Sequence, residues 1–259
     1  MTQTIFEDTT QFKKVITSST QTLKRSINQT NWNTQWTFNI EFSKFIRKLS
    51  TANIQMDMKA AHRIHSSAIV YFRRYYMNED ITKTKKDPRL IAATAVFFSS
   101  KVEGIQIPTR LLVEKATKIM EFPFYQRDII ETERDLTTKL KESWIVWHPL
   151  KEYELIKQQF NFPSFLEENL ITILNDSYLT NVILMYRPNE ITLGCIVTAG
   201  ILQNCDIRSI ICSSQVDLNN VYAVANEMLE YYMFVNSKQY KDECKKVIVK
   251  YKFVEGHEL

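Results

Sequence analysis

Two stretches in the first half of the chain decide the fold: VYFRRYY at residues 70–76 and DPRLIAATAVFFSSKVEG at residues 87–104. Pro88 suits the first turn of a helix, and beyond it apolar side chains cover every side of the helix as far as Phe98. A helix that is apolar all round is surrounded by other helices. The pattern therefore predicts that this segment is the central helix of a helical bundle.

Amphipathic segments on both sides of this central helix predict its neighbours. Apolar residues recur at helical spacing in residues 38–49 and 59–77 before it, and in residues 109–120 and about 125–143 after it. Only four glycines and six prolines interrupt the 259 residues. A bundle of five helices follows for the first half.

The second half repeats this order about a hundred residues later. Pro188 lies 100 residues after Pro88 and opens NEITLGCIVTAGIL, residues 189–202, which is again apolar on nearly all sides. Further helices are predicted at 150–160, 166–181, 206–213 and 217–235, with a lysine-rich helix near 238–250. The fold class is therefore all-α, with two five-helix bundles in tandem. The predicted segments are an N-terminal arm at 1–37, the bundles at 38–147 and 148–236, and a C-terminal helix and tail at 237–259.

Composition argues against most catalytic classes. Average usage would give about 18 glycines, whereas this chain has four, and the two nearest, Gly194 and Gly200, are six residues apart. Phosphate loops, dinucleotide fingerprints and nucleophile elbows all need closely spaced glycines. His62 and His65 share a helix face but lack a third ligand at a supporting spacing. We expect no enzyme activity, no cofactor and no metal site.

Charge and cysteine content indicate the setting. The net charge is +4, and the whole excess lies between Thr9 and Ile40, which leaves 29 basic and 29 acidic residues elsewhere. Because the basic and acidic residues outside this segment are equal in number, the rest of the chain is not expected to bind nucleic acid directly. Four cysteines without a C-x-x-C pair predict reduced, buried thiols. Because no apolar stretch approaches eighteen residues, no membrane span is expected, and a cytosolic or nuclear protein follows.

Four features keep alternative interpretations. The arm is either disordered alone or a helix that docks on a partner through Phe12, Ile16, Leu23 and Ile27. The basic loop from Lys83 to Arg89 and the basic C-terminal helix are each either a solvated face or a polyanion contact. Lys101, at the end of the central helix, either complements the helix dipole or is held in place for a partner.

These residues resemble the cyclin family. Its cyclin box carries an aromatic-Arg-aromatic run, as in VYFRRYY, and a third helix that ends in [AS]-[SA]-K-x-E, as in SSKVE. The patterns TRL, EFPF, IVWHP, NDSYLTN and VDLNNVYAVANEMLEYY resemble the transcriptional type, with cyclin C of the Mediator kinase module first and cyclin H second. The TFIIB core, which also pairs two cyclin folds and binds nucleic acid, is a third alternative, disfavoured by the balanced charge and the missing zinc ribbon.

The resemblance implies a non-catalytic nuclear subunit that binds and activates a cyclin-dependent kinase and associates with Mediator subunits. The cyclin H alternative implies a kinase-activating complex of the general transcription machinery. Matched by position, the kinase-binding residues are Lys101 and Glu133, with Phe97, Phe98 and Val102 packing on the kinase. Two residues depart from the family pattern. Gly104 replaces a second acidic residue, which predicts a looser helix end, and Val15 stands where a tryptophan is usual.

Overall fold

A computed structural model of the chain describes residues 32–52, 58–77, 86–141 and 143–251. Twelve helices and no strand occur in these ranges, as the all-α prediction requires. They are α1 (Trp32–Thr51), α2 (Met58–Tyr76), α3 (Pro88–Val102), α4 (Thr109–Met120), α5 (Gln126–Leu140), α6 (Pro149–Lys157), α7 (Ser164–Ser177), α8 (Val182–Met185), α9 (Pro188–Gln203), α10 (Arg208–Cys212), α11 (Leu218–Val235) and α12 (Lys238–Tyr251).

The described residues form two compact units. The first unit contains α1 to α5 together with α12, and the second, Trp147–Ser237, contains α6 to α11. The candidate docking residues Phe12, Ile16, Leu23 and Ile27 lie outside the described residues.

The central helix of the first unit is α3, as predicted. The Asp87 carboxylate accepts a hydrogen bond from the Arg89 backbone N–H at 2.8 Å, which caps the helix start, and Pro88 occupies its first turn. Apolar residues from Ile91 to Phe98 are buried, and α3 packs against α1, α2, α4 and α5.

In the second unit α9 has the same central role, against α6, α7, α8 and α11. Gly194 permits the close approach of α11, because a Cβ atom there would lie 2.4 Å from Val224 Cγ1. The small residue is therefore a packing requirement, as its position in an all-round apolar helix suggests.

Several helix boundaries differ from the predictions. Helix α1 begins at Trp32, inside the segment predicted as an arm, because Trp36 is already buried in the core. The helix predicted at 166–181 ends earlier, at Ser177. The Ser177 hydroxyl donates to the Leu174 carbonyl oxygen, and the Thr180 hydroxyl donates to the Ser177 carbonyl oxygen. Such local bonds compete with the helical ladder.

The C-terminal helix α12, predicted as a separate terminal segment, packs on α1. The Tyr240 hydroxyl donates to the Glu41 carboxylate at 2.6 Å, and the Thr34 hydroxyl donates to Glu243 at 2.9 Å. The Tyr251 ring lies edge-on against Phe42, with centroids 5.2 Å apart. Aromatic and hydrogen-bonding contacts therefore make α12 part of the first unit.

Arg89, at the end of the basic loop, is not part of a solvated face, so that interpretation is wrong for this residue. Its guanidinium binds the Asp87 carboxylate, lies 3.7 Å from the centre of the Phe122 ring and donates to the Tyr251 carbonyl oxygen at 3.1 Å. Its side chain is only 13% exposed. Arg89 is therefore a structural residue that joins the start of α3 to the end of α12.

All four cysteines are free thiols, but their burial differs from the prediction. Cys195 is buried, Cys205 and Cys244 are half-buried, and Cys212 is exposed. Cys212 follows the buried pair Ile210 and Ile211 at the end of the short helix α10, so its side chain faces outward.

Candidate partner-binding site

Lys101 and Glu133 form an ion pair at the end of the first central helix. Lys101 Nζ lies 2.8 Å from Glu133 Oε1 and 2.9 Å from Oε2, and it also lies 4.2 Å from the centre of the Phe97 ring. The lysine occupies the last turn of α3 and the glutamate the middle of α5, two helices that pack against each other. The fold thus brings together two predicted residues that are 32 positions apart.

The pair is held in place and remains accessible. The Lys101 side chain is 45% exposed and the Glu133 side chain 17%. The carboxylate and the aromatic face both attract the ammonium group, which restricts a side chain that is otherwise flexible. Lysine has three N–H donors, and a carboxylate has about four acceptor positions. The pair therefore still offers a donor and acceptors to the backbone or side chains of a partner.

Glu131, the neighbouring acidic residue, points elsewhere. It is exposed and lies 3.6 Å from Arg127 Nε on the same helix. Since residues two positions apart on a helix face different directions, only one of the two glutamates reaches Lys101. The geometry selects Glu133.

The three predicted apolar residues occupy different positions. Phe97 and Phe98 are buried within the first unit, whereas Val102 is exposed. The Phe98 ring packs against Tyr71 at 5.3 Å and against Trp144 at 5.8 Å between centroids. In this structure Phe97 and Phe98 support the surface from beneath, and their contact with a kinase stays a prediction.

Two apolar residues beside the pair were missed by the sequence analysis. Trp144 is 42% exposed and Ile145 is 68% exposed, in the irregular segment that follows α5. Trp144 packs edge-on against Phe98, which lies one helical turn before Lys101. The ion pair is therefore bordered by an exposed apolar patch, Trp144–Ile145. The available signal was the adjacent large apolar residues in a segment without helical periodicity.

The aromatic-Arg-aromatic run of α2 holds this segment in place. The Tyr71 hydroxyl donates to the carbonyl oxygen of Trp144, and Arg74 Nη1 donates to the carbonyl oxygen of Ser143 at 2.7 Å. Burial lowers the pKa of Arg74 to about 10 and raises the pKa of the Tyr71 hydroxyl, which therefore keeps its proton at neutral pH. The motif thus fixes the backbone that carries Trp144 and Ile145.

The end of α3 is tightly closed. Gly104 has φ +73°, the Ile105 N–H donates to the Ser100 carbonyl at 2.8 Å and the Gly104 N–H to the Lys101 carbonyl at 3.1 Å. The Ser67 hydroxyl donates to Glu103 at 2.7 Å and joins this end to α2. This is a Schellman-type ending, for which glycine is preferred. The prediction that Gly104 loosens the helix end is therefore wrong.

Other site types lack support in the described ranges. No group of three metal-ligating side chains occurs there, and no helix has the length and apolar character needed to cross a membrane.

Comparison with known proteins agrees with this architecture. Residues 43–143, which include the ion pair, match the model of the cyclin N-terminal domain. Cyclin-C1-1 of Oryza sativa subsp. japonica is 32% identical over 183 residues, which cover 69% of this chain and 70% of that protein. The chain belongs to the cyclin family. Among cyclins it is similar to the C type: Cyclin-C of Rattus norvegicus is 27% identical over 76% of this chain and 72% of its own length. Cyclin-C1-2 of Arabidopsis thaliana is 28% identical over 74% of this chain and 75% of its own length.

Two solved structures share the cyclin fold. A chain of the CAK complex from Chaetomium thermophilum bound to ATP-gamma-S has a TM-score of 0.67 at 16% identity, covering 97% of this chain and 89% of that chain. A chain of the yeast TFIIK (Kin28/Ccl1/Tfb3) complex has a TM-score of 0.60 at 16% identity, covering 86% of this chain and 99% of that chain. At this identity the likeness supports the fold alone.

Proposed function

We propose that this cyclin is a non-catalytic, cyclin C-like regulatory subunit that binds and activates a cyclin-dependent kinase of the Mediator kinase module in the nucleus, and so regulates transcription by RNA polymerase II. The similarity to rice, rat and Arabidopsis C-type cyclins supports the type. The observation that carries the proposal is the Lys101–Glu133 pair, accessible at the end of α3 beside the exposed Trp144–Ile145 patch.

The proposed mechanism is positional. A protein kinase is active only when its αC helix lies inward, so that the glutamate of that helix pairs with the lysine that holds the ATP phosphates. A rigid surface that binds the inward αC helix better than the outward one shifts this equilibrium. Here Lys101 and Glu133 offer polar contacts, and Val102, Trp144 and Ile145 offer apolar ones. The cyclin contributes position, and the kinase contributes the chemistry.

The segment assignment is part of this proposal. We assign the two helical bundles, 38–147 and 148–236, to the two cyclin boxes, with the arm at 1–37 and the C-terminal helix and tail at 237–259 flanking them. Association with further Mediator subunits is proposed on the same similarity to C-type cyclins.

To test the site, the chain is co-expressed with the kinase that co-purifies with it from its native cells. Lys101→Ala and Glu133→Ala should each weaken kinase binding by about 2 to 5 kcal/mol, because each leaves a charge of the interface unpaired. The matched control is Glu131→Ala, on the same helix but on another face. Unchanged kinase co-purification and activity in both variants would show that the site is assigned wrongly.

A cyclin H-like role is the second candidate, because the two solved structures compared above come from the CAK and TFIIK complexes. Affinity purification of the chain from its native cells, followed by mass spectrometry, separates the two. A kinase with Mediator subunits supports the first candidate. A kinase with general transcription-factor subunits, and phosphorylation of a kinase activation loop, supports the second.

A further inference from the structure

The outward face of α12 carries a row of lysines. Lys238, Lys241, Lys245 and Val249 are spaced by three, four and four residues, which places them on one side of the helix, and all four are exposed. At 1.5 Å per residue the row is about 16 Å long, with a side chain about every 5 to 6 Å. Lys250 lies beside its end.

The other side of α12 is already occupied. Tyr240, Val247 and Tyr251 are buried against the first unit, and Lys246 binds Glu243 at 2.7 Å. By contrast, Lys238, Lys241 and Lys245 make no ion pair with any residue in the described ranges. Asp242, which is also exposed, lies four residues after Lys238 and three before Lys245, so one carboxylate borders the row. The outward row therefore keeps a net positive charge.

The row is held on a rigid support. Tyr240 binds Glu41 and also accepts a hydrogen bond from Lys44 Nζ at 3.0 Å, and the carbonyl of Tyr251 binds Arg89. Lys44 is itself partly exposed, but its ammonium group pairs with the Glu41 carboxylate at 3.1 Å, so it does not add to the charge of the row. Since α12 is anchored at both ends, its backbone holds the Cα atoms of the lysines in a fixed row, and only the lysine side chains become ordered when a partner binds.

The chemistry of the row indicates its occupant. Residues 238–251 contain no arginine, and both tyrosines of the helix are buried, so the face lacks the groups that read phosphates bidentately or stack on bases. Val249, 74% exposed, stands at the end of the row. A nucleic acid backbone offers only sugar carbons between charged phosphates, whereas a peptide can place an aliphatic or aromatic side chain over Val249.

We propose that the outward face of α12 binds an acidic segment of a partner protein, with carboxylates opposite Lys238, Lys241 and Lys245 and an aliphatic or aromatic side chain opposite Val249. Charge complementarity attracts and orients the acidic segment, and the apolar contact contributes binding free energy that salt does not screen. This surface shares no residue with the proposed kinase site, so each proposal can fail without the other.

The test measures binding of a fluorescein-labelled peptide, three repeats of Glu-Glu-Leu-Asp-Glu, to the full chain by fluorescence anisotropy. The comparison probes are its neutral version, three repeats of Gln-Gln-Leu-Asn-Gln, and a 15-base-pair DNA duplex at the same ionic strength. The test variant combines Lys238→Glu, Lys241→Glu and Lys245→Glu. The matched control combines Arg110→Glu, Lys118→Glu and Lys151→Glu, which reverses three exposed cations on other helices.

We expect the acidic peptide to bind, the test variant to weaken that binding at least tenfold, and the control variant to change it less than threefold. Val249→Ser should weaken binding of the acidic peptide and leave its salt dependence unchanged. The proposal is overturned if the acidic peptide does not bind, if both triple variants weaken it equally, or if the duplex binds more tightly than the peptide. Circular dichroism and thermal unfolding confirm that each variant is folded, which is expected because every substituted side chain is exposed.

Discussion

Lys101 and Ile201 occupy equivalent positions in the two units, one hundred residues apart. Each lies one residue after the carbonyl that closes its central helix: Ile105 N–H binds Ser100, and Cys205 N–H binds Gly200 at 2.9 Å. Gly104 and Asn204, with φ +73° and +51°, make the two turns. The backbone plan is thus repeated, whereas the charge that marks the candidate site occurs only in the first unit.

Ile145 tests whether the apolar patch beside Lys101 binds the kinase. Ile145→Asp should lower kinase affinity at least tenfold, because a carboxylate would replace the apolar contact and lose its water on binding. It should change the free energy of unfolding by less than about 0.5 kcal/mol, since the side chain is largely exposed. Isothermal titration with the purified kinase measures the first quantity, and urea unfolding measures the second.

The repeated plan supplies the control for that experiment. Ile201→Asp changes a comparably exposed isoleucine, 57% against 68%, in the second unit. It should leave kinase affinity within threefold of the original. Equal losses in the two variants would contradict the assignment of the kinase surface to the first unit.

Tyr71 tests whether α2 holds the patch in position. Tyr71→Phe keeps the buried ring but removes the hydroxyl that donates to the Trp144 carbonyl, so the chain should lose about 1 to 3 kcal/mol of unfolding free energy. The fluorescence of the tryptophans should also change as Trp144 gains freedom. The control Tyr222→Phe removes an exposed hydroxyl and should be nearly neutral. Equal stability of the two variants would show that the Tyr71 bond does not hold the segment.

The central helices were predictable because their signal is local. An all-round apolar run after Pro88 or Pro188 admits few interpretations, and the exposed lysine after it is visible in the sequence. Glu133 was found only through family resemblance, since two glutamates on α5 are equally spaced candidates without the fold. The location of Trp144 and Ile145 beside Lys101 could not be predicted, because hydrogen bonds from α2, about 70 residues earlier, determine it. The docking of α12 on α1 likewise depends on partners about 200 residues apart.

Gly104 should be required because of its backbone conformation, and not because a side chain at this position would collide with its neighbours. A Cβ atom there would meet nothing within 4 Å, but φ is +73°. Gly104→Ala should therefore cost about 1 to 2 kcal/mol of unfolding free energy. Gly104→Asn should cost less, because asparagine tolerates this region and Asn204 adopts it at the equivalent position. Urea unfolding of both variants checks the order, and a larger loss for asparagine than for alanine would contradict the conformational explanation.

The four thiols should react with iodoacetamide in the order of their exposure. The thiolate is the reactive form, and burial raises the pKa of Cys244 to about 11 and raises the pKa of Cys195 further. At pH 8 Cys212 should be alkylated first, and Cys195 and Cys244 last. Between pH 8 and 11 the rate at Cys244 should still rise, because its thiol is still losing its proton over that range. Peptide mass spectrometry follows each site, and comparable rates at Cys195 and Cys212 in the folded chain would contradict the prediction.

Arg89 should anchor the last turn of α12. Its guanidinium joins Asp87, Phe122 and the Tyr251 carbonyl, so Arg89→Ala should speed amide hydrogen exchange at the end of α12 by about tenfold or more as that end opens locally. Arg89→Lys keeps the charge but loses the planar stacking and the paired bonds, and it should give an intermediate rate.

The second unit offers a matched control for Arg89. Arg208 binds Asp206 two residues earlier with the same arrangement, its backbone N–H and its guanidinium both donating to that carboxylate. However, the Arg208 side chain is 86% exposed. Arg208→Ala should therefore leave exchange in α12 unchanged and speed it only near α10. If Arg89→Ala likewise changed exchange only around its own position, the link between the start of α3 and the end of α12 would not stabilise the terminal helix.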